Sequence, residues 1–274
     1  MKTEKLSDTI TIIHADCRDV LPVECDSFVT DPPYGMTDYE WDIEPDWNSF
    51  FPLLRRCAET IVMTMQKPKT WTIATLFPPR HHWTWYKSKS SSPSLARSGP
   101  LRVTEDVLVF GGDVWNPQPL IAHPANVRKN RMNTHFKTKE RYARDDVDDI
   151  LRKPIDLLDF PSNTGECHAQ HIQHSTQKPV ELFEYLLRTY TNKSQIVCDP
   201  FMGSGTTGLA CIRTGRGFIG MEKNEHYYRI ARKRLMNELA QTNLFRQDED
   251  ARAGQGECPG TACNSASMQV ALDI

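Results

Sequence analysis

Between residues 194 and 224 the chain alternates strand and helix. It runs "SQIVCDPF", a glycine turn, "TTGLACIRTG", "RGFIGME", and then the start of a long helix near Asn224. Strands alternating with helices on this spacing predict a parallel, doubly wound sheet, because a parallel pair needs a crossover long enough to hold a helix. The N-terminal part repeats the theme. "TITIIHADCRDVLPVECDSFVTDPPYG" reads as a strand to Ile13, a polar turn, a short helix-like stretch and a second strand ending at Thr30. Trp47, Phe50, Phe51 and Leu54 recur at helical spacing up to Cys57, which puts Pro52 in the first turn. "TIVMTM", "HHWTWYKSK" and "EDVLVFGG" read as three further strands, and "SSSPSLARSGP" as a polar loop. A helix is expected over "KPVELFEYLLRTY".

With 274 residues, 39% of them hydrophobic, one large core is affordable. The organisation expected is a catalytic core over 1–116 and 173–241, an insertion at 117–172, and a disordered tail over 242–274, where Gln, Gly, Ser, Asp and Ala dominate. No run of eighteen apolar residues appears, and the N-terminus lacks the apolar stretch of a signal peptide, so no membrane partner and a cytoplasmic location are expected. The eight cysteines form no CxxC pair, so they are read as reduced packing residues. His168, His171 and His174 are three apart, but only neighbours would share a helix face, and no metal site is expected.

The net charge of −2 hides a basic strip, since residues 128–144 carry Arg128, Lys129, Arg131, Lys137, Lys139, Arg141 and Arg144 against one Glu. Such a run is usually a solvated face. It is also what phosphate contacts require.

Two strands end in the same dipeptide, Asp31-Pro32 and Asp199-Pro200. In an open parallel sheet, ligands sit outside the carboxyl ends of the strands. After the second of these comes "MGSGTTG", with Gly203 and Gly205 just before a helix, and Glu222 follows Gly203 by 19 residues at the next strand end. Glycines let backbone approach a ligand, and an acid at that place can hold ribose hydroxyls. Gly208 completes a GxGxxG frame, so the motif alone leaves a dinucleotide open. After the first dipeptide come Pro33 and Tyr34. Prolines stiffen the loop and leave its carbonyls as acceptors, Asp31 adds a carboxylate, and Tyr34 adds a flat face. That set suits an amino group on an aromatic ring, and a nucleobase is the obvious case.

The combination resembles the DNA amino-methyltransferases that use S-adenosylmethionine, in the β-class arrangement where DPPY precedes FxGxG. "DPPYG" at 31–35 looks like the catalytic motif, "DPFMGSGTTG" at 199–208 like the methionine-binding loop, and "FIGME" at 218–222 like the ribose-binding strand. "HSTQKPVEL" at 174–182 is similar to the family's HPTQKP segment, and "HADCRDVL" at 14–21 to its GDxxxxL element. Ser175 and Ala15 stand where Pro and Gly are common. The likeness extends from about residue 10 to 240.

The resemblance implies a Rossmann-like methyltransferase sheet with an antiparallel hairpin and a target-recognition region at 117–172. Asp31, Pro32, Pro33 and Tyr34 would be catalytic. S-adenosylmethionine would be held by Asp16, Asp31, Thr176, Gln177, Lys178, Asp199, Phe201, Gly203, Ser204, Gly205, Thr206 and Glu222. The basic strip would bind double-stranded DNA from which a base is flipped. DPPY rather than SPPY favours adenine N6 over cytosine N4. A C5-cytosine mechanism needs a nucleophilic Cys, and no Pro-Cys dipeptide is present. An RNA or protein methyltransferase with the same pocket is the alternative enzyme, and a DNA-binding module with a decayed pocket the non-enzymatic one. A homodimer and a cognate restriction endonuclease are further partners the family admits.

Overall fold

The computed structural model describes residues 1–88, 101–121, 151–152, 154–162 and 177–253. The chain divides into two compact units, Met1–Glu238 and Leu239–Ile274. Among the described residues, nine strands of the first unit form one sheet in the order β1-β2-β11-β10-β3-β4-β6-β5-β9. The strands are β1 (Lys2–Lys5), β2 (Ile10–His14), β3 (Ser27–Thr30), β4 (Thr60–Met65), β5 (His81–Tyr86), β6 (Thr104–Phe110), β9 (Leu157–Asp159), β10 (Ile196–Asp199) and β11 (Gly217–Glu222). β7 (Leu120–Ile121) and β8 (Leu151–Arg152) form a separate antiparallel pair.

The centre of the sheet, β2-β11-β10-β3-β4, is parallel throughout, while β6 joins β4 and β5 antiparallel. The expected doubly wound core and hairpin are therefore present. Parallel strands are buried on both faces, and β4 shows it, with all six residues of "TIVMTM" buried. Ile61, Met63 and Met65 join a cluster with Trp47, Phe50, Phe51 and Leu54 of helix α1 (Trp47–Cys57). By alternation Val62 points to the opposite face, where helix α3 (Val180–Tyr190) packs against β3 and β4.

Helix α1 departs from expectation in one respect. Its N-cap is Asp46, so Pro52 lies inside the helix rather than in its first turn. The missing N–H costs a backbone bond, and the apolar face carrying Trp47, Phe50, Phe51 and Leu54 keeps the helix in place. Helix α2 (Lys69–Leu76) was not foreseen at all, and β9 returns from the 117–172 insertion to the sheet edge, parallel to β5.

Helix α4 (Thr206–Thr214) packs on α3, and helix α5 (Glu225–Ala253) follows β11. α5 enters the segment 242–274 expected as tail. Residues 242–253 contain neither Gly nor Pro, so nothing in the backbone stops the helix before Gly254. Among the described residues no helix is long and apolar enough to cross a membrane.

Candidate active site

The two Asp-Pro strand ends lie side by side. β3 and β10 are parallel neighbours with Val197 opposite Ser27, and the Thr30 hydroxyl at the end of β3 donates to Asp199 Oδ1 at the end of β10 (2.6 Å). Asp199 is buried and accepts two more bonds, from the Phe201 N–H (3.0 Å) and the Thr207 hydroxyl (2.5 Å). This carboxylate fastens the glycine turn to both strands and is enclosed by them.

Beyond it the turn is shaped by its neighbours. Gly205 caps α4 with φ +85°, a left-handed conformation that side chains resist, and a Cβ there would lie 3.1 Å from that of Ala231. At Gly208 a Cβ would come within 2.7 Å of Leu235 and 2.8 Å of Phe218, so the third glycine serves close helix packing. The Gly203 N–H donates to Glu222 Oε2 (3.0 Å) and the Asn224 N–H to Oε1 (2.7 Å). Burial raises the pKa of Glu222, against those two bonds. Asp16 stands next to this acid, because β2 pairs with β11 so that His14 faces Glu222 and the Ala15 N–H donates to the Glu222 carbonyl (3.1 Å). Arg18 grips Asp16 through Nε (2.9 Å) and Nη2 (2.6 Å) and, despite partial burial, holds its pKa at about 2.

On the other tip, Pro32 and Tyr34 are buried while Asp31 and Pro33 are half-buried. Asp31 Oδ1 takes three donors: the Tyr34 hydroxyl, the Thr64 hydroxyl and the Lys178 ammonium (3.1 Å). Among the described residues no group donates to Oδ2. Burial and the Asp31 charge push the Tyr34 pKa well up, so its hydroxyl stays protonated and donates.

Lys178, one of the expected cofactor residues, has its ammonium buried between Asp31 and Glu105 Oε2 (3.1 Å to each), 5.3 Å from the Tyr34 ring centre and 5.8 Å from that of Trp85. Glu105 also accepts from Lys87 (2.8 Å). Burial disfavours the charges of Lys178 and Glu105, yet their neighbours outweigh it, raising the pKa of Lys178 and lowering that of Glu105. The result is a chain of two cations and two anions, buried at Lys87, Glu105 and Lys178 and ending at the half-buried Asp31.

Of the remaining expected cofactor residues, Gln177 Oε1 accepts from the buried Ser204 hydroxyl (3.5 Å), Phe201 turns its ring onto Phe50 (5.4 Å between centroids), and Thr206 begins α4. Thr176 and all seven basic residues from Arg128 to Arg144, with His168, His171 and His174, lie outside the described residues. Within the described residues, no cluster of three metal-ligating side chains occurs, and Cys17, Cys25, Cys57, Cys198 and Cys211 are free thiols.

A family profile described as DNA methylase matches residues 25–233, which include both strand tips. The chain belongs to the DNA methylase family. Among its relatives is the type II methyltransferase M2.DpnII of Streptococcus pneumoniae, 48% identical over 63 residues, 23% of this chain. That match spans about a quarter (24%) of the relative's length. Two solved structures share the fold. The M1.HpyAVI–SAM complex has a TM-score of 0.53 and 26% identity, over 82% of this chain and 98% of that one. The cytosine-N4-specific PvuII DNA methyltransferase has a TM-score of 0.55 and 18% identity, over 82% and 86%.

Next to Glu222 this DNA methylase has a pocket of about 490 Å³ lined by Tyr39, Glu40, Trp41, Lys223, Asn224, His226 and Tyr227. Tyr39 and Trp41 stack at 5.5 Å, and Tyr227 meets Trp41 edge-on at 6.2 Å. The sequence did not single out these aromatics, nor Thr64, Lys87 and Glu105. The available signal for Glu105 was an acid pair opening the otherwise apolar "EDVLVF"; for the others there was none.

Burial raises the Asp199 pKa to about 6, although Thr207, Thr30 and Phe201 donate to it. A carboxyl raised above its unfolded value of about 3.9 adds stability that is complete below that pH and disappears as pH rises through 6. Asp199→Asn removes this titration. The urea midpoint of the native chain, measured against that variant, should therefore fall between pH 4 and 6 and level off above; a constant difference would contradict the assignment.

Proposed function

We propose that the chain is a site-specific DNA methyltransferase that moves a methyl group from S-adenosylmethionine to adenine N6. The observation that carries this reading is the junction of the two strand tips at Thr30–Asp199, which makes the Asp31 loop and the glycine turn neighbours at one end of the sheet. The residues present fit the cofactor. Glu222 uses one lone pair of each oxygen on backbone and retains the others for ribose hydroxyls. The aromatic pocket beside it fits a planar purine. The cofactor supplies a sulfonium methyl.

The chain's own part is to hold the acceptor. Asp31 Oδ1 is fixed by Tyr34, Thr64 and Lys178, which turns Oδ2 outward to take an amino hydrogen, and the Pro32 carbonyl takes the other. With both hydrogens held, the nitrogen lone pair faces the methyl group. As the N–C bond forms the S–C bond of the sulfonium breaks, leaving a neutral thioether; the excess proton on nitrogen then passes to solvent, and no protein nucleophile is needed. Flipping the base costs a few kcal/mol, which stacking and phosphate contacts must offset; the strip from Arg128 to Arg144 is the proposed source of the phosphate contacts.

Cytosine N4 is the second reading, favoured by the fold shared with the cytosine-N4-specific PvuII enzyme; DPPY favours adenine. Transfer of labelled methyl from S-adenosylmethionine to duplex DNA, RNA and protein pools, followed by nucleoside analysis, tests both. Label in N6-methyladenine supports the proposal, label in N4-methylcytosine replaces the base assignment, and label only in RNA or protein overturns it.

A further inference from the structure

The loop after Tyr34 is organised around one side chain. Asp42 is 8% exposed and accepts five hydrogen bonds, all from residues 34–37. Oδ1 takes the backbone N–H groups of Tyr34 (2.8 Å) and Gly35 (2.9 Å); Oδ2 takes those of Met36 (2.9 Å) and Thr37 (2.8 Å) and the Thr37 hydroxyl (2.8 Å). Four consecutive amides curl around one carboxylate, with Gly35 at φ +64° making the turn. Such a concave run of N–H groups normally awaits an anion from outside. Here the chain fills it itself, eight residues after the tyrosine.

The bonds link two parts of the site. On one side they fix the Tyr34 backbone, and with it the hydroxyl that orients Asp31. On the other, Tyr39 and Trp41, the stacked pair lining the pocket beside Glu222, lie inside the segment that the bonds close. Trp41 is directly bonded to Asp42 in sequence and makes an edge contact with Tyr227 at the start of α5. The loop ends in Glu44, which is anchored by Lys69 and by the Trp47 indole N–H (3.1 Å). Asp42 therefore sits where one group can hold the acceptor side and the pocket side in a single geometry.

We infer that Asp42 is a positioning residue, holding loop 34–42 so that Tyr34 and the Tyr39–Trp41 pair face the reaction together. The inference rests on the methyltransferase reading for its kinetic test, but not for its structural one. The Asp42 carboxylate acts through the loop backbone, since its bonds run to residues 34–37. An amide at this position turns one acceptor oxygen into a donor, which then meets N–H groups head-on.

The test compares the full chain with Asp42→Asn by hydrogen exchange at residues 34–37 and by steady-state methylation of duplex DNA. The expected result is exchange at those amides at least tenfold faster and a kcat at least tenfold lower, with KM for DNA within twofold. Asp46→Ala is the control for general loss of stability: it removes the N-cap bond to Asn48 (3.2 Å) outside the loop and should leave kcat within twofold. Unchanged protection, unchanged kcat, or an equal loss in Asp46→Ala each overturns the inference. Thr37→Val, which deletes only the hydroxyl donor, should give a smaller change in the same two readings and stands in if Asp42→Asn does not fold. Should the native chain methylate no nucleic acid, the proposed function fails, while hydrogen exchange still judges Asp42.

Discussion

Lys178→Met lowers the stability of the folded chain by about 3–5 kcal/mol, the cost of leaving buried charge without its partner. Two carboxylates face the Lys178 ammonium at 3.1 Å, and its side chain is 8% exposed. Methionine matches the volume, so packing is largely kept. What disappears is the cation between Asp31 and Glu105, and Lys87 neutralises only the second of them. The denaturant midpoint of the variant reads the loss. A change below about 1 kcal/mol, the ceiling for an ordinary surface pair, would show that Lys178 is solvated in solution.

Asp31→Asn reduces methyl transfer by about 10²–10³-fold, the usual cost of one misplaced hydrogen-bonding group at a reacting centre. The three donors on Oδ1 select the orientation of the new amide: its oxygen must take the place of Oδ1, since the NH2 group cannot accept. The NH2 is then forced outward, donor against the donor hydrogens of the target amine. Cofactor affinity, which the proposed site assigns mainly to Glu222 and the glycine turn rather than to Asp31, should change little. Single-turnover transfer with equilibrium cofactor binding measures both, and a native transfer rate in Asp31→Asn would remove Asp31 from the catalytic role.

Much of the fold was legible in residues 1–65 and 177–241 because local signals agreed there. β4 is a run of β-formers and apolar residues buried throughout, and α3 has its apolar residues at helical spacing. Where tertiary contacts decide, the sequence was silent. α2, "KTWTIATL", has no side-chain cap and no clear apolar face, and it is held by Ile73 in the core and by Thr70 bonded to Asp106 (2.7 Å). Local preference puts Pro52 in a first turn, whereas the helix begins five residues earlier at Trp47.

The sequence by itself determined the parallel sheet, the two Asp-Pro strand ends and the glycine turn, because each is written in neighbouring residues whose backbone and polarity preferences act locally. Only the tertiary structure decided which side chains surround those ends. Lys87 and Glu105 are 18 residues apart and Lys178 lies far beyond both in sequence, and their pairing depends on β5, β6 and the "QKP" segment meeting in space. A buried charge chooses its partner by distance after folding, and no spacing rule along the chain records that distance.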